Sequence, residues 1–392
     1  ELMAYPEFPW GRNGAGGEDG GDSYVTHRQV HAYLGEYLQE FGLDEVIQYG
    51  TTVEELSFVG DGGAPDDDGR APIRVRYTGD GTSGERLFDA VCVCNGHYGK
   101  PGSPALPGLA HFQGTALHSI AYDDPSVYAG RHVLCVGGRA SGSDLAREIS
   151  LHAASVLLSV SPAPKEGAAT ALGNVALRGR TERVDEGGAV LFGDDGPPAT
   201  PDVIIFCTGY DYDFPFIGEE SNVGLRFVAG ERRVAPLYGQ MWHARNPNLS
   251  FIGIPHSVVP FPLFEVQGRA IAAELLAGGT GTFLPPRDER VRSAEEDAAA
   301  GGPKKTRVED THQLGAHQWD YSRWIAKLAG LYDQELEDHL YVNEQLYNDA
   351  GSDRGGGFPG GPDTYRSTRY VRDNARREIY VARHGGDAYV AP

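Results

Sequence analysis

Residues 112–149 read FQGTALHSIAYDDPSVYAGRHVLCVGGRASGSDLAREI, and their second half decides the fold. Residues 133–136, Val-Leu-Cys-Val, form the kind of short apolar run that makes a buried parallel strand. Gly137-Gly138-Arg139-Ala140-Ser141-Gly142 follows, then a helix expected to open at Ser143-Asp144 with Leu145, Ile149 and Leu151 on its apolar side. A strand turning sharply into a helix leaves backbone N–H groups open at the positive end of the helix dipole, a seat for a pyrophosphate. Glycine lets the backbone turn tightly and approach the phosphate closely. The residues assigned to this seat are Gly137, Gly138, Ala140, Ser141, Gly142 and Asp144. The dinucleotide fingerprint is G-x-G-x-x-G, and here Arg139 replaces the middle glycine. Taken alone, the turn would fit any glycine-rich α/β domain equally well.

The half before it sharpens the reading. Phe112-x-Gly114-x-x-x-His118-x-x-x-Tyr122 directly precedes the nucleotide strand. This FxGxxxHxxx(Y/F) pattern resembles the fingerprint of class B flavoprotein monooxygenases, the flavin-containing monooxygenase family. Related Baeyer–Villiger enzymes usually carry Trp at the last position, so Tyr122 favours the heteroatom-oxidising branch. The string G-x-x-A-S-G-x-D-(I/L) resembles the second nucleotide site of the plant-type, S-oxygenating members, which also lack the middle glycine. The resemblance spans most of residues 1–285.

Bulk properties agree with a globular enzyme. The 392 residues suffice for two or three domains, and 40% hydrophobic with 23% charged residues is an ordinary composition. The balance of 34 basic against 55 acidic residues gives a formal charge of −21, which disfavours nucleic acid or an anionic membrane as partner. No apolar run is long enough to span a bilayer and no signal peptide is evident, so a cytoplasmic location is expected. Cys92, Cys94, Cys135 and Cys207 lie in apolar strand-like runs with no CxxC pair, and are expected as buried free thiols. A metal site and a redox-active disulfide are not expected, which excludes a disulfide reductase.

The resemblance assigns the rest of the chain. Residues 1–125 correspond to an FAD-binding domain whose first βαβ unit, with its GxGxxG motif, would lie upstream of Glu1. The family's active-site asparagine would lie there too, so catalytic residues stay unassigned, and the chain reads as a fragment whose own FAD binding is in question. Thr26 leads a helix with Val30, Leu34, Tyr37 and Leu38 at helical spacing. Residues 46–49 read as a strand ending at Thr51-Thr52-Val53, where the resemblance puts the Val53 amide near the FAD adenine. Residues 53–90 alternate as a β-meander. Asn95-Gly96-His97-Tyr98 matches the family's (T/N)GH linker beside the flavin, with Asn95 and Gly96 as cofactor-side residues.

Residues 126–205 correspond to the NADP(H) domain. The end of its second strand, Ser159-Val160-Ser161-Pro162, carries neither the acid that holds a ribose 2′-OH nor the arginine that holds a 2′-phosphate. The missing acid leans to NADPH, the missing arginine leaves NADH open, and Lys165 is a weak source of charge. Residues 206–285 return to the FAD domain through a string resembling the family's linker, with Gly209 against the cofactors and Gln267 beside the flavin pyrimidine. Residues 286–392 are expected as a helical or irregular extension, with residues 319–340 helical and Trp324, Ile325, Leu328 and Leu331 on the apolar face.

The expected fold is therefore α/β: two Rossmann-like dinucleotide-binding domains, the NADP domain inserted in the FAD domain, plus a helical C-terminal extension. The activity the resemblance implies is an FAD- and NADPH-dependent monooxygenase. It would insert one atom of O2 into a soft sulfur or nitrogen of a small thioether or amine, through a C4a-hydroperoxyflavin. His118 and Tyr122 are expected to order the linker rather than touch substrate. A Baeyer–Villiger oxygenase and an FAD-deficient NADP(H)-binding protein are the alternatives.

Overall fold

The computed structural model describes residues 4–10, 25–60, 69–79, 81–102, 105–162, 174–218, 221–227, 232–277, 283–300, 311–353, 369–373, 378–382 and 389–390. The chain divides into two units. The first comprises residues 1–97, 212–349 and 366–392, and the second residues 98–211 and 350–365.

In the first unit, helix α1 (His27–Glu40) opens on a capping box: Thr26 Oγ1 accepts the Gln29 amide, and the Thr26 amide donates to Gln29 Oε1 at 2.8 Å. Its buried anchor is Tyr33, whose hydroxyl donates to the Phe8 carbonyl at 2.7 Å, whereas Leu34 is exposed. Strands β1 (Thr51–Phe58), β2 (Ile73–Gly79) and β3 (Thr82–Phe88) form an antiparallel meander. The strand expected from residue 46 starts only at Thr51. Val46 and Ile47 are exposed, and Gly50 at φ 64° breaks the run before the ladder. Strand β4 (Val91–Val93) then runs parallel to a strand of the return segment.

The second unit contains β5 (Lys100–Pro101), β6 (Thr115–His118), β7 (His132–Val136), α2 (Ala140–Ser150), β8 (Ser155–Ser159), β9 (Val175–Arg178), β10 (Thr181–Val184), β11 (Val190–Phe192), β12 (Val203–Phe206) and β13 (Tyr210–Asp211). Five strands make a parallel sheet in the order β6-β12-β7-β8-β9. Alternation sends Val133, Cys135, Val156, Leu158 and Ile205 to a core shared with Ala146 and Ile149 of α2. Leu134, Ile204 and Phe206 face the other way, onto Val184, Val190 and Phe192 of the β10–β11 hairpin. A strand stretch buried on both faces must be apolar throughout, which is why residues 133–136 of β7 and all of β12 carry no polar position.

The return segment adds β14 (Arg226–Phe227), β15 (Val234–Ala235), β16 (Leu237–Tyr238), β17 (Trp242–His243), β18 (Leu249–Phe251) and helix α3 (Pro260–Leu276), and the extension adds α4 (Arg287–Ala300), α5 (Gln318–Leu328) and α6 (Gln334–Asp353). Strands β16, β17, β18 and β4 form one sheet, with β4 at its edge. The single helix expected over 319–340 is two, separated at Ala329-Gly330, where Gly330 takes φ 66°. Trp319 and Ile325 are buried, while Trp324 is exposed, so the apolar face is rotated from the expected one. Helix α4 buries Arg290 completely: its guanidinium donates to the Ala244 carbonyl at 3.1 Å and the Pro285 carbonyl at 2.7 Å. Strands β19 (Arg369–Asp373), β20 (Glu378–Ala382) and β21 (Tyr389–Val390) follow the helices.

Candidate functional site

The glycine turn of residues 137–142 sits wholly within the second unit. Helix α2 opens at Ala140, three residues before the expected Ser143, so Ala140, Ser141 and Gly142 make its first turn. No side chain caps it: Arg139 holds the N-cap position and makes no capping hydrogen bond. An uncapped N-terminus at the C-terminal end of a central parallel strand is where a phosphate gains both the open amides and the dipole. Gly137 adopts φ 109°, in the left-handed region, and a Cβ there would lie 2.6 Å from the Cys207 carbonyl oxygen. A Cβ on Gly138 would meet Val160 at 2.5 Å. Asp144 faces Arg147 at 3.3 Å on the same helix. Leu151, expected on the apolar side, is the exposed C-cap residue.

The upstream fingerprint has a local cause for each residue. A Cβ on Gly114 would sit 2.3 Å from the Asp202 carbonyl oxygen and 2.6 Å from the Phe112 ring, so the F-x-G spacing lets the aromatic fold over bare backbone at the start of β6. His118 closes β6. Its Nδ1 accepts the Ile120 amide at 3.2 Å, which leaves the proton on Nε2, and Nε2 donates to the Gly209 carbonyl at 3.0 Å. Burial holds its pKa below the usual histidine value. Tyr122 stacks on Tyr128, and its hydroxyl donates to Glu148 Oε2 of α2 at 2.8 Å. His118 therefore ties the fingerprint to the segment after β12, and Tyr122 ties it to the helix after the glycine turn.

The end of β8 carries a charge that sequence reading missed. Arg178 on β9 stands in register with Ser159. Its guanidinium is spent on Asp194 at 2.8 Å and lies 3.9 Å above the Phe192 ring. Asp194 also accepts amides from Gly179 and Gly196, and its carboxyl is held well below the usual range, chiefly by Arg178. The pairing was invisible because Arg178 and Asp194 are far apart in a sequence with no visible register. Lys165 lies outside the described residues.

In the first unit, Val53 is exposed on β1 at a bulge between Val53 and Glu55. Asn95 and Gly96 are exposed after β4, with Gly96 at φ 74°. His97 packs against Tyr212, with its Nδ1 2.8 Å from the Gly253 carbonyl. Gln267 is completely buried on α3: its Oε1 accepts the Gly253 amide at 3.0 Å, and its Nε2 donates to the Tyr321 hydroxyl at 2.9 Å. Tyr321 in turn donates to the Gly239 carbonyl at 2.7 Å. The side-chain amide is thus committed to protein partners. Sequence reading picked out Gln267 but had no signal for Tyr321, which lies on α5. The structure brings Gly137, Gly138, Ala140, Ser141, Gly142 and Asp144 together at one turn. Phe112 and Gly114 pack together, and His118 meets Gly209.

Comparison with known proteins shows the family. The family described as flavin-binding monooxygenase-like matches residues 1–164 and 165–334. Flavin-containing monooxygenase FMO GS-OX-like 4 of Arabidopsis thaliana is 32% identical over 343 residues, covering 86% of this chain and 72% of that protein. FMO GS-OX4 of the same plant is 34% identical over 339 residues, covering 84% of this chain and 69% of that protein. Among solved structures, the S-allyl-L-cysteine S-oxygenase of Allium sativum superposes with a TM-score of 0.74 at 29% identity, covering 96% of this chain and 80% of that one. The chain belongs to the flavin-containing monooxygenase family of oxidoreductases and resembles its plant-type members.

Proposed function

We propose that this protein is an FAD- and NADPH-dependent monooxygenase that transfers one atom of O2 to a soft sulfur or nitrogen of a small molecule, with a thioether sulfur as the preferred acceptor. The observation that carries the reading is the uncapped first turn of α2, with Gly137, Gly138 and Gly142 packed too closely for any side chain. In this reading Gly137, Gly138, Ala140, Ser141, Gly142 and Asp144 hold the NADPH pyrophosphate, in a domain over residues 126–205. Residues 1–125 and 206–285 form the FAD domain, with Val53, Asn95, Gly96 and Gly209 on the flavin side. Gln267 acts by pinning α3 to Gly253.

A bound flavin, reduced by NADPH, supplies the oxygen-activating chemistry. The protein's own residues orient the two cofactors and exclude water. Few acid or base groups are then needed, in keeping with the neutral His118 and with Tyr122 committed to Glu148. The absence of an acid at Ser159 supports NADPH over NADH. The sulfur preference rests on the A-S-G-x-D turn and on the named activity of the Allium sativum relative.

The test is reconstitution. The purified chain is incubated with excess FAD, desalted and examined by absorbance, and NADPH oxidation is then followed with and without a dialkyl thioether under air. A retained flavin band, thioether-dependent NADPH consumption and stoichiometric sulfoxide support the reading. A chain that retains FAD yet oxidises NADPH without forming sulfoxide or N-oxide refutes the oxygenase claim. A colourless chain that still binds NADPH would make it a nucleotide-binding protein only.

A further inference from the structure

The four cysteines do not share one environment. Cys135 and Cys207 are buried in the second unit, as expected, and Cys135 is pushed well up by its hydrogen bond with Cys207 and by burial. Cys92 and Cys94 are exposed, against expectation. Their alternation explains it: Val93 turns into the apolar core with Phe251 and Leu249, which leaves positions 92 and 94 together on the opposite face of an edge strand. The two sulfurs lie 3.6 Å apart.

We propose that Cys92 and Cys94 form a peroxide-reactive dithiol that closes reversibly to a disulfide. The substrate class is a hydroperoxide, with hydrogen peroxide the simplest member. Two residues along an extended strand span about 6.6 Å, at the upper edge of the ~4.4–6.8 Å between Cα atoms that a disulfide bridges. Cys94 lies past the last residue of β4 and is followed within two residues by Gly96 at φ 74°, so it is the partner free of the ladder and able to close the remaining gap. Cys92 is the nucleophile. The Cys94 thiol and the Ser250 hydroxyl both hydrogen-bond toward its sulfur and draw its pKa down to about 7, while Cys94 is pushed up. Among the described residues, no group of three or more His, Cys, Asp or Glu is placed to hold a metal, which separates this pair from a thiolate metal site.

The chemistry balances in two steps. The Cys92 thiolate attacks one peroxide oxygen and the O–O bond breaks. This gives a sulfenic acid and hydroxide, which takes the proton from Cys94 to become water. The Cys94 thiolate then attacks the Cys92 sulfur and the S–O bond breaks, so hydroxide leaves and is protonated by solvent. Two thiols and one hydrogen peroxide become one disulfide and two waters. The inference rests on these two residues and does not depend on the oxygenase reading.

The reduced full chain is treated with a small excess of hydrogen peroxide, its remaining thiols are alkylated under denaturing conditions, and it is mapped by mass spectrometry without reduction. The expected product is a Cys92–Cys94 crosslink with only Cys135 and Cys207 alkylated, restored to four free thiols by dithiothreitol. Cys94→Ser should stop at a sulfenic acid on Cys92 that dimedone traps. Cys92→Ser should react about tenfold more slowly, since its remaining thiol has no partner to make it a thiolate at neutral pH. Far-UV circular dichroism shows whether each variant is folded. Four alkylatable thiols after peroxide treatment would overturn the proposal, as would a crosslink at Cys135–Cys207 alone. So would equal rates in the wild type and a folded Cys92→Ser variant.

Discussion

A Cβ placed on Gly142 would lie 1.7 Å from the carbonyl oxygen of Gly137. The two glycines are the ends of the turn between β7 and α2, and the helix can start this close to the strand only because neither has a side chain. Gly142→Ala should therefore push α2 away from β7 and cost about 1–3 kcal/mol through overpacking. Hydrogen exchange measured by mass spectrometry should show faster exchange in peptides covering residues 132–150, with peptides over residues 51–88 unchanged. On the proposed reading of this turn, NADPH affinity should fall in step. An alanine variant with wild-type protection and affinity would mean that the turn is looser than described.

His118 is held at both nitrogens, by the Ile120 amide and the Gly209 carbonyl. Its replacement by alanine removes both bonds, a loss of about 1–2 kcal/mol. The effect should appear as faster exchange at residues 203–211, on the far side of the bond. Equal protection there in His118→Ala would show that Gly209 is held by other contacts.

His243 is 1% exposed, and its Nδ1 accepts the Asn246 amide at 3.0 Å. Burial, aided by Arg245, Arg287 and Arg290, lowers its pKa to about 3. The folded chain keeps the ring neutral, whereas the unfolded chain protonates it near pH 6.5. Its contribution is complete above about pH 6.5 and is lost as the pH falls toward the folded value, at about 1.4 kcal/mol per pH unit. Urea denaturation of the first unit between pH 6.5 and 5 should show this slope, and His243→Gln should flatten it. A wild type whose midpoint does not change over that interval would refute the assignment.

The Tyr321 hydroxyl joins Gln267 to the Gly239 carbonyl. Tyr321→Phe leaves a buried amide donor and a buried carbonyl without this partner, at a cost of about 1–3 kcal/mol. Thermal unfolding of the first unit should shift down, and Gln267→Leu in the same background should add less than it does alone. Full additivity would show that the two side chains do not act together.

Legibility in the sequence followed the range of the forces involved. The strand–turn–helix of residues 132–150 was readable because its signal is local: an apolar run, then glycines, then a helical period. Even there the helix began three residues early, since Ala140-Ser141-Gly142 carries no apolar periodicity to mark a first turn. The α/β class followed from residues 133–136 and 203–206, which are apolar on both faces. Cys92 and Cys94 were misread because an apolar run does not say whether its strand is central or at an edge. The burial of Arg290 was unreadable because the carbonyls that receive it come from a segment distant in sequence and from a turn without a motif. Tyr321 and the pair Arg178–Asp194 were unreadable for the same reason.

Strands β5 and β13 pair with each other, Tyr210 opposite Pro101 and Asp211 opposite Lys100. The Gly102 amide adds a bond to the Gly209 carbonyl, and the Thr208 hydroxyl another to the Gly102 carbonyl. The path into residues 100–211 and the path out of them are thus stitched side by side. In genetic terms residues 100–211 begin and end at one point, so a gene could take in or exchange this stretch by one in-frame event, with only a few residues needed to rejoin its ends.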